Sequence, residues 1–246
     1  MNIIVLLSRT IDSEQKITVQ DDMIQTEDVE YVINPLDEVA LEEAIRLKEK
    51  HGGSILAITA GEVNAEKQLR LALAIGADKG ALLVVNDRKE EPANIASILS
   101  SYIKTIPFDI ILAGSFTIDG GSAQVGPRVA TALKIPYINN IAKLTIEKDK
   151  AIIEKHSSEE IETYSGSLPL LVTVPQGLNE PRLPALAGIM KAKRKPLEKI
   201  TPLLKQSELI KTNHYQFPTV ERQNLFIQGD SVEQAARLAK LIKKIQ

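Results

Sequence analysis

The chain has 246 residues, 43% of them hydrophobic, with 30 basic against 32 acidic side chains and a formal charge of -2. Such a chain buries the core of one large domain, or of a domain with an appendage, which excludes a disordered or fibrous protein. The near balance of charge provides no net positive field to hold nucleic acid or an anionic membrane surface. Cysteine is absent, which removes disulfides, thiolate nucleophiles, Cys-type zinc sites and iron–sulfur clusters together. Three histidines are present, His51, His156 and His214, with no i, i+4 pairing of the HExxH type. The apolar run after Met1 is far shorter than a signal peptide requires, and no segment approaches 18 apolar residues. A soluble, cytoplasmic protein without membrane insertion is expected.

In chain order, Ile3–Leu7, Ile55–Ile58, Ala81–Val85 and Phe108–Ala113 are continuous apolar runs with the length and β-branched content of strands buried on both faces. Helical periods lie between them. From Leu36 to Lys48, the residues Leu36, Val39, Ala40, Ala44 and Leu47 recur at three- and four-residue steps, Leu41 and Ile45 widen the stripe, and Glu42 is placed to pair with Arg46. Residues 64–75, closing at Gly76, and 93–105, ending before Pro107, repeat the pattern. This alternation predicts an α/β fold with a parallel sheet covered by helices.

After residue 140 the pattern changes. Ile141–Lys148, Ala151–Lys155 and Ile161–Tyr164, split by Asp149-Lys150 and Ser157-Ser158, read as an antiparallel meander attached to the sheet. Leu168–Val174 returns to the buried-strand type. A Gly- and Pro-rich loop and a basic cluster follow, then a stretch over 196–218 with little periodicity that reads as an arm laid on another surface. Asn224–Ile227 suits a strand, Gly229-Asp230-Ser231 a turn and cap, and Val232–Ile245 a helix. The expected division is an α/β domain over 1–195 and an arm with a terminal strand and helix over 196–246.

Three segments carry candidate chemistry. The loop Gly114-Ser115-Phe116-Thr117-Ile118-Asp119-Gly120-Gly121-Ser122-Ala123-Gln124-Val125 follows a buried strand and precedes a helical pattern. It therefore lies at the carboxyl edge of a parallel sheet, where ligands bind in open α/β folds. Gly120 and Gly121 allow close approach of a ligand, Ser122 can cap the helix or donate to a phosphate, and the amides of Ala123 to Val125 are donors of its first turn. An anion site and a plain glycine-turned connection explain the pattern equally well. Asn34-Pro35-Leu36-Asp37 opens the 36–48 helix with Asn at N-cap, Pro at N1 and an acidic residue at N3. Capping accounts for most of that pattern, yet the same terminus faces the same sheet edge, where its backbone can read an adenine edge or a ribose. Finally, Leu183, Leu186, Ile189 and Met190 stand in a surface segment beside Lys191–Lys195. Docking and a short helix with leucines in the core are both open; nucleic acid is disfavoured because no aromatic side chains are interleaved. No histidine has a Ser or Asp at triad spacing, so no general acid or base is expected.

These segments occur in this order in the beta subunit of electron transfer flavoproteins, which the chain resembles over about residues 1–196. The resemblance rests on Val32-Ile33-Asn34-Pro35-Leu36-Asp37-Glu38 with Ala40–Lys50, on Leu71-Ala72-Leu73-Ala74-Ile75-Gly76-Ala77-Asp78, and on Thr117-Ile118-Asp119-Gly120 with Gln124-Val125-Gly126-Pro127. Leu178-Asn179-Glu180-Pro181-Arg182 running to Ile189-Met190-Lys191-Ala192-Lys193 completes the set. Each is weak alone; the ordered set is specific. The chain departs from the family after its first strand, where Lys-Gln-Val-Pro-Asp gives way to Ser8-Arg9-Thr10-Ile11-Asp12. It departs again at Gly114-Ser115-Phe116, where many members have Gly-Lys-Gln.

The resemblance implies a Rossmann-like, adenine nucleotide alpha hydrolase-like three-layer domain, and a noncatalytic half of a heterodimer. An alpha subunit would supply most of the site for a redox-active FAD, while this chain would hold AMP, or a second FAD in the electron-bifurcating branch. The carried-over nucleotide contacts are Leu6, Asn34, Pro35, Leu36, Asp37, Ala60 and Gly114 through Val125. The family's docking loop maps to Arg182, Leu183, Pro184, Ala185, Leu186, Ala187, Gly188, Ile189, Met190 and Lys191, with Leu186 as the anchor in a pocket of an acyl-CoA dehydrogenase. A quinone oxidoreductase is a further implied partner, and fatty acid oxidation the implied context. From another class, a free-standing adenine-nucleotide sensor resembling universal stress proteins would share the layered sheet. An ATP-pyrophosphatase would need Ser-Gly-Gly-x-Asp-Ser after the first strand, which Ser8-Arg9-Thr10 does not supply.

Overall fold

The computed structural model describes residues 1–25, 29–85, 91–202, 214–217 and 224–243. Its strands are β1 (Asn2–Leu6), β2 (Arg9–Ile11), β3 (Thr18–Gln20), β4 (Met23–Gln25), β5 (Tyr31–Ile33), β6 (Ser54–Gly61), β7 (Lys79–Val84), β8 (Ile110–Gly114), β9 (Tyr137–Ile138), β10 (Lys143–Glu147), β11 (Lys150–His156), β12 (Ile161–Ser167), β13 (Leu170–Val174) and β14 (Leu197–Ile200). The helices are α1 (Pro35–His51), α2 (Glu66–Ile75), α3 (Pro92–Ile103), α4 (Val125–Leu133), α5 (Leu186–Ala192) and α6 (Ser231–Ile242). None of the described helices is long and apolar enough to cross a membrane.

Seven strands form one parallel sheet in the order β14-β7-β6-β1-β8-β13-β9. The chain winds outward from β1 through β6 to β7, then restarts at β8 on the other side of β1. The strand order therefore reverses between β1 and β8, the place where an open α/β sheet leaves a crevice outside its carboxyl ends. Alternate residues of β1 feed different cores. Ile3 and Val5 pack with Leu41 and Leu73 of α1 and α2, whereas Ile4 and Leu6 pack with Leu99 and Ile103 of α3 and Val129 of α4. Burial on both faces explains why these strands read as unbroken apolar runs, and each large aliphatic side chain withdrawn from water contributes roughly 1.5–3 kcal/mol.

The meander is present as a sheet of its own, β10-β11-β12, and not as an extension of the parallel sheet. It is held by packing, with Leu144, Ile146, Ala151 and Ile153 in the same apolar cluster as α1 and α2. Two features depart from the sequence reading. Leu197–Ile200, inside the stretch expected to lack periodicity, pairs with β7 as an edge strand; four residues without alternating burial, none of them fully buried, carry too little pattern to be read. Asn224–Ile227 is irregular and not a strand, with Leu225 and Phe226 exposed, because no neighbouring strand among the described residues supplies a ladder.

The chain divides into a compact unit of residues 1–17 and 25–212 and a second of 18–24 and 213–246. In the second unit, the Asp230 carboxylate caps α6 by accepting from the amides of Val232 and Glu233, as Gly229-Asp230-Ser231 indicates. The end of that helix at Ile245, and the arm over 203–213 and 218, lie outside the described residues.

Candidate functional site

The crevice at the β1/β8 reversal is built around two side chains at the start of α1. Asp37 is 3% exposed. One carboxylate oxygen accepts from the Ser8 amide just past β1 at 2.7 Å, and the other from the Gly114 amide at the end of β8 at 2.8 Å. A single carboxylate thus ties the two strand ends that border the reversal. Burial pushes its pKa up to about 7 against the lowering effect of those hydrogen bonds. Gly114 is required by this packing: a Cβ there would stand 2.4 Å from the Asp37 carboxylate and 2.8 Å from Leu36 Cβ.

Asn34 is fully buried and occupies the N-cap position, but its side chain does not cap α1. Its amide nitrogen donates to the Phe116 carbonyl at 2.9 Å, and its oxygen accepts from the Ile118 amide at 3.3 Å. The capping explanation is therefore corrected: the side chain is spent on the glycine loop, and Pro35 at N1 leaves α1 one orphan donor fewer to satisfy. The start of α1 and the loop after β8 are brought together, on the sheet edge where Leu6 also ends its strand. Thr59, near the end of β6 and next to Ala60, adds a tie that sequence reading missed, its hydroxyl donating to the Leu7 carbonyl at 2.7 Å.

Beyond Ile118 the loop is exposed from Asp119 to Gln124. Gly120's amide is turned inward to Thr117 and Asp119, and Gly121's to the Thr117 carbonyl. Ser122 does not cap a helix, contrary to one expectation; α4 starts at Val125, and Gln124 at its N-cap makes no side-chain cap bond. Gly121 and Ala123 both adopt positive φ, 62° and 54°. A left-handed alanine carries a backbone cost and occurs where the surroundings fix it. Among the described residues, the amides of Ser122, Ala123, Gln124, Val125 and Gly126 meet no protein acceptor. Five successive free donors, three in the loop and two at the start of a nine-residue helix, form an anion-receptive rim. Phe116 and Ile118 stand beside it, 44% and 38% exposed.

Known proteins are similar to this chain in sequence. Residues 22–204 match the electron transfer flavoprotein domain family. Similar proteins include the electron transfer flavoprotein subunit beta of Bacillus subtilis, 46% identical over 99% of this chain and 98% of that one. Those of Syntrophomonas wolfei and Homo sapiens are each 35% identical, over 99% and 82% of this chain and 96% and 82% of theirs.

The chain belongs to the electron transfer flavoprotein beta-subunit family.

That membership assigns it an electron-transfer role and displaces the free-standing sensor as an explanation of the layered sheet. The segment that the resemblance maps to docking can also be placed in the fold. Leu183, Leu186, Ile189 and Met190 are 89%, 77%, 43% and 68% exposed, so the alternative of a short helix with its leucines in the core is corrected. The core-facing side of α5 is made instead by Gly188 and Ala192. A Cβ on Gly188 would lie 2.4 Å from the Ala74 carbonyl, so the backbones of α5 and α2 touch there. Arg70 donates to the Ala192 and Lys195 carbonyls, and Lys195 Nζ donates to the carbonyls of Leu73 and Ala77 at the end of α2. Lys195, at the end of the basic cluster, is thereby a fastening residue, as is Arg70.

Glu42 was legible only as the partner of Arg46, to which it is bonded at 2.8 Å. Its side chain is 4% exposed and also accepts from Arg182 Nε at 2.8 Å and Nη2 at 3.1 Å. Burial opposes its ionisation, but Arg182 and Arg46 together hold it below the ordinary carboxylate range. Asp37 and Glu42 are buried although they stand on a helix with several exposed acidic and basic residues, and partners that hold them there come from segments 77 and 140 residues away in sequence.

Proposed function

We propose that this chain is the noncatalytic half of a heterodimer. It holds an adenine nucleotide, AMP or a second FAD, at the β1/β8 crevice, while an alpha subunit provides most of the site for the redox-active FAD. The observation that carries the reading is the run of acceptor-free amides from Ser122 to Gly126 at the point where strand order reverses. These donors suit a phosphate. Asn34 and Asp37 hold the loop that presents them, and the backbone around Leu36 and Ala60 borders the place for the adenosine. The flavin supplies the electron-carrying chemistry when bound; this chain's residues bind, orient and exclude water. Leu186, with Leu183 and Met190, docks an acyl-CoA dehydrogenase, and a quinone oxidoreductase is the onward partner. One small apolar anchor suits a short-lived complex better than a broad interface does.

The test is acid extraction of the purified heterodimer followed by chromatography. The expected result is one AMP per chain beside one FAD, or two FAD. Release of one FAD with no further adenine nucleotide overturns the reading. The chain expressed alone is expected to lack stoichiometric flavin and to gain it on coexpression with an alpha subunit.

A further inference from the structure

The docking segment presents a mechanical problem. Residues 180–185 span the gap between a turn at Asn179 and the start of α5, contain Pro181 and Pro184, and belong to no helix or strand. Beneath them lies a cavity of about 140 Å³, bordered by Glu38, Glu42, Leu71, Ile75 and the segment itself. Packing therefore contributes little to fixing this arch, of which only Pro184 is half-buried, since a void offers no partner atoms on one side. Among the described residues, the Ala185 carbonyl accepts from the Ile189 amide at the start of α5, and every other hydrogen bond that reaches out of 180–185 to the rest of the fold belongs to Arg182. Its amide and guanidinium donate to Glu42, and Nη1 and Nη2 donate to Glu49 at 2.7 and 3.2 Å.

We propose that Arg182 is a positioning residue, a latch on the α1 carboxylates Glu42 and Glu49 that fixes the arch so that Leu183 and Leu186 are presented in one geometry to the dehydrogenase. The inference rests on the docking role given above to Leu186. The planar fork of an arginine is needed because the two carboxylates lie about two turns apart on one face of α1, with Nε bonded to Glu42, Nη1 to Glu49 and Nη2 to both; a lysine ammonium lacks this spread of donors. Glu42 is the fixed end, buried and further braced by Arg46, while Glu49 is the exposed end. Asn179 reinforces the upstream turn by donating to the Val39 carbonyl and to Glu43, both at 3.1 Å. Downstream, the Gly188 contact with α2 and the Arg70 and Lys195 bonds hold α5 independently of the latch. The loss of Arg182 is thus expected to loosen the arch and leave α5 in place. With the arch loose, the conformation competent to dock is only part of the population, and apparent affinity falls by that fraction.

The experiment uses the complete heterodimer with its flavin, as the varied substrate of an acyl-CoA dehydrogenase, in four forms: wild type, Arg182→Gln, Leu186→Ala and the double variant. Arg182→Gln is expected to raise KM about tenfold with kcat within about twofold. In the Leu186→Ala background the same change is expected to raise KM less than about twofold, because residues that act through one another are not additive. Glu42→Gln, buried beneath the arch and unable to touch a partner, is expected to reproduce the Arg182→Gln effect, and Arg182→Lys to recover part of it. Equal KM increases for Arg182→Gln in both backgrounds would make Arg182 a direct contact and overturn the proposal, as would no change on Arg182→Gln or on Glu42→Gln. Unchanged KM for Leu186→Ala would instead sink the docking role itself. Bound flavin per heterodimer is measured for each variant, and a loss of flavin with Glu42→Gln and Arg182→Gln alike would show that the latch holds the subunit and not the arch.

Discussion

Asp37→Asn separates the two things that this carboxylate does. The side chain is isosteric, but both oxygens of the carboxyl group retain lone pairs that can accept even when one is protonated, whereas the amide nitrogen cannot accept, so whichever way the amide is turned its NH₂ faces either the Ser8 or the Gly114 amide. One hydrogen bond is lost and two donors are left buried without a partner, which costs about 1–3 kcal/mol. At a 3% exposed site, water cannot compensate. At about 2 kcal/mol, and with roughly 2–4 °C per kcal/mol for a chain of this size, the variant melts about 4–8 °C below wild type at acidic pH. The gap then changes with pH. Asp37 has its folded pKa raised from 3.8 to about 7 by burial, so the folded state holds this proton more tightly than the unfolded state. The stability it contributes is complete below about pH 4, declines as pH rises towards 7, and is gone above. A shift of this size corresponds to a contribution on the order of 4 kcal/mol between those limits. The amide of the variant has no such proton to lose. Urea unfolding followed by circular dichroism between pH 5 and 8 is therefore expected to show the wild-type advantage shrinking with rising pH and vanishing or reversing by pH 8. A gap that stays constant or widens over that range refutes the account of Asp37 as a buried, proton-retaining tie.

Three further outcomes follow from other positions. Ala123→Gly, which suits a φ of 54°, is expected to leave the extractable nucleotide at wild-type stoichiometry, whereas Ala123→Pro, which fixes φ near −65°, is expected to abolish it while the melting temperature moves by only a few degrees; retention of nucleotide by the proline variant argues against the rim. Leu186→Ala is expected to slow reduction by the dehydrogenase while heterodimer and bound nucleotide remain intact, and an unchanged rate counts against the anchor. Gly188→Ala forces a Cβ to within 2.4 Å of the Ala74 carbonyl, at a cost of about 1–3 kcal/mol, and is expected to speed limited proteolysis in 183–192 relative to wild type; equal cleavage rates would show that α5 does not depend on that contact.

The parallel sheet was readable because strands buried on both faces have no polar alternation to obscure them, and Ile3–Leu7 or Phe108–Ala113 admit little else. The position of the glycine loop followed from the same rule, since a loop between a buried strand and a helix must leave the sheet at its carboxyl edge. The sequence alone therefore determined the layers, the family and which loop faces the crevice. It did not determine who is bonded to whom there. Asn34 looked like a cap and is a clamp, Ser122 looked like a cap and is free, and Glu42 looked like half of an i, i+4 pair and is the buried end of a latch. For the two buried side chains, Asn34 and Glu42, the reason is the same. Local signals report the nearest backbone partner, whereas a buried polar side chain takes whichever donor or acceptor the fold brings within about 3 Å. That choice is made between segments 77 to 140 residues apart, and only the tertiary structure makes it.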